Sequence, residues 1–141
     1  MPLTQLIYMS SLLIDDDEAI ASILESARRH NIANHLTGML LVCDGSVVQV
    51  LEGSQNAVAE AFIRIQADTR HTGVFKFSEI LVAERDFSAW SMGFQRVGDA
   101  ELETKLLING AFKLGADGIP VAMKPGVAKM ILKTFADSQL V

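Results

Sequence analysis

Two apolar runs, residues 39–43 and 47–51, flank the dipeptide Asp44-Gly45. That spacing constrains the chain more than any other feature. Asp-Gly accepts the positive φ angles that a two-residue hairpin turn requires, so the runs are read as antiparallel neighbours joined by a tight turn. A lone hairpin is marginal in water, so further strands and a covering layer must come from the rest of the chain.

The remainder supplies them in a regular order. Residues 3–9 are short and apolar and read as a first strand. Asp15, Asp16, Asp17 and Glu18 then put negative charge where a helix N-terminus favours it. Ile20, Ile23, Leu24 and Ala27 recur at i, i+3, i+4 and i+7, the apolar stripe of an amphipathic helix. This helix is expected to end near Arg29 and His30, with Asn31 just past its end. After the hairpin, Gly53-Ser54-Gln55-Asn56 breaks the strand and offers helix caps. Val58, Ala61, Phe62 and Ile65 mark a second amphipathic helix. Residues 74–83 and 90–97 read as two further strands, joined by the charged turn around Glu84-Arg85-Asp86.

The predicted fold class is α+β, a ferredoxin-like βαββαββ two-layer sandwich with the first and third strands side by side in its centre. Residues 98–141 differ in character. Leu102, Leu106 and Leu107, and then Val127, Met130, Ile131 and Phe135, suggest two shorter helices around a Gly/Pro-rich stretch at 115–125. The expected organisation is therefore a domain over residues 1–97 and a C-terminal helical extension over 98–141, its two helices covering the other sheet face.

Half the residues are hydrophobic, which supports a packed core and speaks against disorder. The net charge of -5, with only a small basic spot at Arg28, Arg29 and His30, argues against broad nucleic-acid binding. No apolar run is long enough to span a bilayer, and no cationic segment precedes an apolar stretch at the start, so a cytoplasmic location is expected. Cys43 is the single cysteine. It has no internal disulfide partner and no zinc-type spacing around it, and a buried inert thiol is expected. No phosphate loop, nucleophile elbow or pair of metal ligands is present.

The informative residues are polar ones set among apolar neighbours. Gln49 interrupts the run 47–51. A buried amide with unmet hydrogen bonds costs roughly 1–3 kcal/mol per group, so it needs partners, and by spacing alone a glutamine bonded to backbone suffices. Tyr8 shares a strand face with Leu6 and is placed to meet Gln49 across the central strands. A phenol beside an amide is a redox-capable donor facing a group that both donates and accepts; taken singly, Tyr8 reads equally as a core tyrosine. Trp90 and Met92 share one face of the last predicted strand, where both are ordinary core residues and Met92 is also a soft, adjustable contact. Arg64, Asp68 and His71 stand at i, i+4 and i+7, which puts them on one helix edge bordering Ile65 unless the helix ends before His71. An exposed ion pair is the plain account of them and the polar tail of a ligand the sharper one. His30 and Asn31, at the end of the first helix, read as capping residues.

Five segments in order resemble the BLUF domain, the sensor of blue light using FAD. They are Leu6-Ile7-Tyr8-Met9-Ser10; Asn31 followed by Leu36-Thr37-Gly38-Met39-Leu40-Leu41; Val48-Gln49-Val50-Leu51-Glu52-Gly53; Asp68-Thr69-Arg70-His71; and Phe87-Ser88-Ala89-Trp90-Ser91-Met92-Gly93. The likeness covers about the first two-thirds of the chain and is nearest to the short bacterial forms, which carry the sensor domain plus a small helical extension and no fused enzyme.

The resemblance implies a photoreceptor, not an enzyme, that holds FAD non-covalently between the two helices. Ile23 and Ile65 then match the aliphatic residues that flank the flavin ring. Asn31 matches the amide on its pyrimidine edge, with His30 beside it. Gln49 matches the amide between flavin and tyrosine, and Tyr8 the electron and proton donor. Arg64 and Asp68 match contacts on the ribityl or phosphate side, and His71 a ring-edge neighbour. Trp90 and Met92 match the strand that responds to light. The resemblance also implies an unidentified downstream protein partner, and leaves the oligomeric state open, a homodimer included. Three positions depart from the family pattern: His35 replaces a common glycine, Ala27 a frequent serine and Val47 a common aromatic. Two other classes of function stay open on the residues alone: a small enzyme on the same fold, and a regulatory module that binds a small ligand without responding to light.

Overall fold

The computed structural model describes residues 2–43, 45–88 and 91–97. In chain order the elements are β1 (Leu3–Leu12), α1 (Asp17–Ala33), β2 (Thr37–Cys43), β3 (Ser46–Gly53), α2 (Gln55–Ala67), β4 (His71–Val82) and β5 (Gly93–Val97). This is the predicted βαββαββ sequence. The strands form one sheet in the order β4-β1-β3-β2-β5. The first four make the antiparallel arrangement of a ferredoxin-like fold, and β5 adds to β2 in parallel. The expected two-residue turn joins β2 to β3: Cys43 pairs with Ser46, and Gly45 has a φ of +82°.

Both helices cover the same face of the sheet. Ile20 and Leu24 from α1 and Val58 and Ala61 from α2 pack on Leu6, Tyr8, Leu40, Val42, Val47 and Leu51. Strand alternation sends Ile7, Met39, Leu41, Val48 and Val50 to the far face, where each is also buried. A strand buried on both faces explains why the run around Gln49 is almost continuously apolar rather than alternating. The predicted C-terminal helices, and with them residues 98–141, lie outside the described residues, as does the side chain of Cys43. Among the described residues no helix is long and apolar enough to cross a membrane.

Several element boundaries differ from expectation, and those nearest the site have identifiable reasons. The first helix does not stop near His30 but runs to Ala33, so Asn31 lies inside it and is buried. Arg28, Arg29 and His30 suit a last turn electrostatically, but the stop is made afterwards. The Leu36 N–H donates to the Asn31 carbonyl at 2.8 Å, and His35 adopts a φ of +56°. That six-residue closure with a left-handed residue just past the cap is a Schellman ending.

The second helix ends at Ala67, so Asp68 is its cap and His71 opens β4 instead of continuing a helix edge. The last strand begins at Gly93, leaving Met92 in the bend before it, and Trp90 lies outside the described residues. Residues 91 and 92 do not pair as strand because α1 takes their carbonyls: Asn31 Nδ2 donates to Ser91 O at 2.5 Å and Arg28 Nε to Met92 O at 2.9 Å. Nor is the link between β4 and β5 a simple turn. The two strands occupy opposite edges, so residues 83–92 carry the chain from one edge of the sheet to the other.

A left-handed backbone costs a non-glycine residue roughly 1–2 kcal/mol, partly offset here by glycine's larger loss of freedom on folding. His35→Gly should therefore raise the unfolding free energy by about 0.5–1 kcal/mol, measured by chemical denaturation, whereas His35→Ala should bring no such gain.

Candidate functional site

Antiparallel pairing places Tyr8 directly opposite Gln49, and Gln49 directly opposite Leu40. All three point toward the helices. The Tyr8 hydroxyl donates to Gln49 Oε1, and Gln49 Nε2 in turn points at Met92 Sδ, 3.3 Å away. The three side chains form a buried relay across the sheet. Burial pushes the Tyr8 phenol far above its ordinary range, and the Asp68 carboxylate adds to the rise. The phenol is neutral and can only lose its proton to a partner already in contact, which is the Gln49 carbonyl oxygen. Tyr8 packs on Phe62, ring centres 5.7 Å apart, and meets the edge of His71.

Above this floor lies a cavity of about 480 Å³ between α1 and α2. Ile23 on α1 and Ile65 on α2 supply facing apolar walls, because each helix turns its stripe toward the sheet. Leu40, Val47, Leu51 and Ala61 complete the apolar lining. His30, Asn31, Arg64, Asp68, Arg70 and His71 also border the space. Burial first, and then Arg64 and Arg29, lower the His30 pKa, which favours the neutral imidazole. The His71 ring is already committed: Nε2 lies 2.7 Å from the Ile65 carbonyl and Nδ1 2.8 Å from Ser10 Oγ. A carbonyl only accepts, so Nε2 carries the proton and Nδ1 accepts from the serine hydroxyl.

Of the residues singled out in the sequence, Tyr8, Gln49, Ile23, His30, Asn31, Arg64, Ile65, Asp68 and His71 all line this one cavity. Met92 joins them through Gln49. The family model described as "Sensors of blue-light using FAD", BLUF, matches residues 3–93. The chain belongs to the BLUF family.

Individual relatives and solved structures are also similar. The photoactivated adenylate cyclase subunit beta of Euglena gracilis is 36% identical over 74 residues, 52% of this chain and 9% of that protein. The chain thus spans about a tenth of the length of the curated relatives it matches. The dark-state structure of the BLUF protein BlrB superposes with a TM-score of 0.74 at 28% identity, covering 98% of both chains. The ground state of BlsA superposes at 0.79 with 25% identity, covering 99% of this chain and 91% of the other. FAD is the cofactor that defines the family. The cavity suits such a group: it has the size of a small-molecule site, facing apolar walls for a ring system, and amide groups and cations among its lining residues.

Reasoning on the sequence missed a set of side chains at the cavity rim. Arg70 makes a bidentate pair with Asp68, with Nη2 2.6 Å from Oδ2 and Nε 2.9 Å from Oδ1. The same guanidinium reaches across to α1, donating to Ser22 Oγ at 3.1 Å and Ser26 Oγ at 3.0 Å. Arg70 was visible in the Asp-Thr-Arg-His segment, but its two serines are more than forty positions away and carry no local signal. Arg28 was seen only as part of a basic spot, although it holds the Met92 carbonyl.

The Arg70 side-chain bond holds the Asp68 carboxyl below the usual carboxylate range, against the opposing effect of burial. A depressed folded pKa means that the pair stabilises the protein above the unfolded value of 3.8 and is lost as the pH falls through the folded value. Asp68→Asn should therefore lower stability by about 1 kcal/mol at neutral pH, and the gap to the wild type should close as the pH falls below 3.8 and through the lower folded value. Thermal denaturation of both proteins across that range measures it.

Proposed function

We propose that this chain is a blue-light sensor that binds FAD between α1 and α2 and converts excitation into a change at the Gln49 amide. The observation that carries this reading is the Tyr8–Gln49–Met92 relay on the cavity floor. Ile23 and Ile65 would sandwich the ring, Asn31 and His30 would meet its polar edge, and Arg64 and Asp68 would face the chain of the cofactor. When bound, the flavin supplies absorption of blue light and a strongly oxidising excited state.

The residues supply the rest. Loss of an electron from a phenol makes its proton strongly acidic, and Gln49 Oε1 stands ready to take that proton. With the added proton on the amide oxygen, one N–H proton can leave in its place, which gives the other tautomer, or the side chain can turn about its Cγ–Cδ single bond. When the electron and proton return to Tyr8, the Gln49 side chain is left in a new arrangement. Its oxygen and nitrogen ends differ in hydrogen bonding, so the exchange rewires the cavity with little backbone movement. Met92 Sδ, which faces Nε2 beforehand, meets a different group afterwards. The change then passes to β5 and the segment beyond it, residues 98–141, for which the buried apolar far face offers a docking surface. An effector protein would read that segment by a shift in population between two states. A cytoplasmic location belongs to the same proposal.

Tyr8→Phe removes the proton and Gln49→Leu removes its acceptor. Each variant should keep its yellow flavin, because other residues contribute most of the cavity, yet lose the reversible shift of the flavin spectrum under blue light. Wild-type photoconversion in either variant would sink the relay.

A further inference from the structure

The far face of the sheet holds a second polar cluster, back to back with the cavity. Glu52 lies on β3 three residues after Gln49 and is fully buried. Its register partners are Gln5 on β1 and Thr37 on β2, so the three side chains make one cross-strand row. A carboxylate without solvent needs donors, and four are in place. Gln5 Nε2 donates to Oε2 at 3.0 Å and Thr37 Oγ1 to Oε1 at 3.1 Å. The backbone N–H groups of Asp86 and Phe87 donate at 2.7 and 2.9 Å. Arg85 secures the same turn, reaching Thr37 Oγ1, the Glu52 carbonyl and the His35 carbonyl.

These bonds determine where the crossover between β4 and β5 begins its path. The same segment ends at Met92, whose sulfur faces the Gln49 amide and whose carbonyl is held by Arg28. Strand β3 therefore grips the crossover at its start through Glu52 and meets its end through Gln49. Gly38 makes the approach feasible, since a side chain there would collide with the Val50 carbonyl and come within 3.3 Å of Met92 Cε.

We infer that Glu52 is a positioning residue for the photoswitch: by clamping the backbone at Asp86 and Phe87 it sets how firmly Met92 is held against Gln49, and so how fast the light state returns. This inference rests on the Tyr8–Gln49–Met92 relay proposed above. Replacing the carboxylate by an amide turns an N–H donor toward groups that themselves donate, which weakens the clamp while keeping the shape. Rotation of the Gln49 side chain needs Met92 to yield, and a looser Met92 yields more readily.

The test is a double-mutant cycle on dark recovery of the flavin spectrum in the full chain. Glu52→Gln should speed recovery by about tenfold, and the milder Thr37→Val, which removes one donor to the carboxylate, by roughly two- to threefold. In a Met92→Ala background both effects should shrink to less than about twofold, because the side chain being positioned is gone. Equal acceleration with and without Met92 would show that Glu52 acts only on general stability and would overturn the inference. So would an unchanged rate in Glu52→Gln. If Glu52→Gln fails to fold, Thr37→Val carries the same comparison. A Met92→Ala protein that recovers at the wild-type rate would overturn both the inference and the place of Met92 in the relay. Equal effects in the two backgrounds would leave the relay standing.

Discussion

The antiparallel pairing of β1 with β3 decides which atoms meet inside this molecule. Strand side chains alternate between faces, so a one-residue slip would carry every residue of β3 to the other side. In the observed register Gln49 faces the helices opposite Tyr8, and Glu52 faces away opposite Gln5. A slip would bring Glu52 to the cavity side and leave the phenol without its acceptor. Both faces of β3 are buried, so a slip would exchange apolar for apolar side chains; it is Gln49 and Glu52 that pin the register, because each would lose its buried hydrogen-bond partner across the sheet.

From that pairing the two halves of the molecule divide their work. On the helix face, apolar walls from α1 and α2 stand above a relay of phenol, amide and thioether. On the far face, a buried carboxylate gathers donors from two strands and from the crossover. The crossover is common to both: Glu52 holds one end of it, and Arg28, Asn31 and Gln49 engage the other. A change at Gln49 therefore reaches a segment that the sheet already holds from its opposite side. Packed elements of this kind shift between discrete arrangements more readily than they deform by degrees.

Much of this was legible in the sequence, and what was legible was local or periodic. The hairpin at Asp44-Gly45, the stripes of both helices and the alternation of elements all rest on spacings within a few residues, and the structure bears them out. The pairing of Tyr8 with Gln49 followed once the fold placed the first and third strands together. The end of α1 was misjudged because a basic last turn imitates a stop, whereas the true stop depends on the backbone angle of His35, which its residue type disfavours. The crossover reads as a turn in the sequence because charge at Glu84-Arg85-Asp86 signals a bend without saying how far the chain travels after it. Arg70 with Ser22 and Ser26, and Glu52 with Asp86 and Phe87, join residues tens of positions apart, and no pattern in a single sequence encodes such pairs.

The central claim is that light acts on the flavin environment through a hydrogen-bond rearrangement that leaves the cofactor oxidised. An absorption spectrum of the FAD-loaded full chain, taken before and after blue light, tests it most directly. The account predicts that the flavin bands move to longer wavelength with their shape preserved, and that they return in the dark. Bleaching of the bands, which would signal reduction of the flavin, or an unchanged spectrum would contradict it.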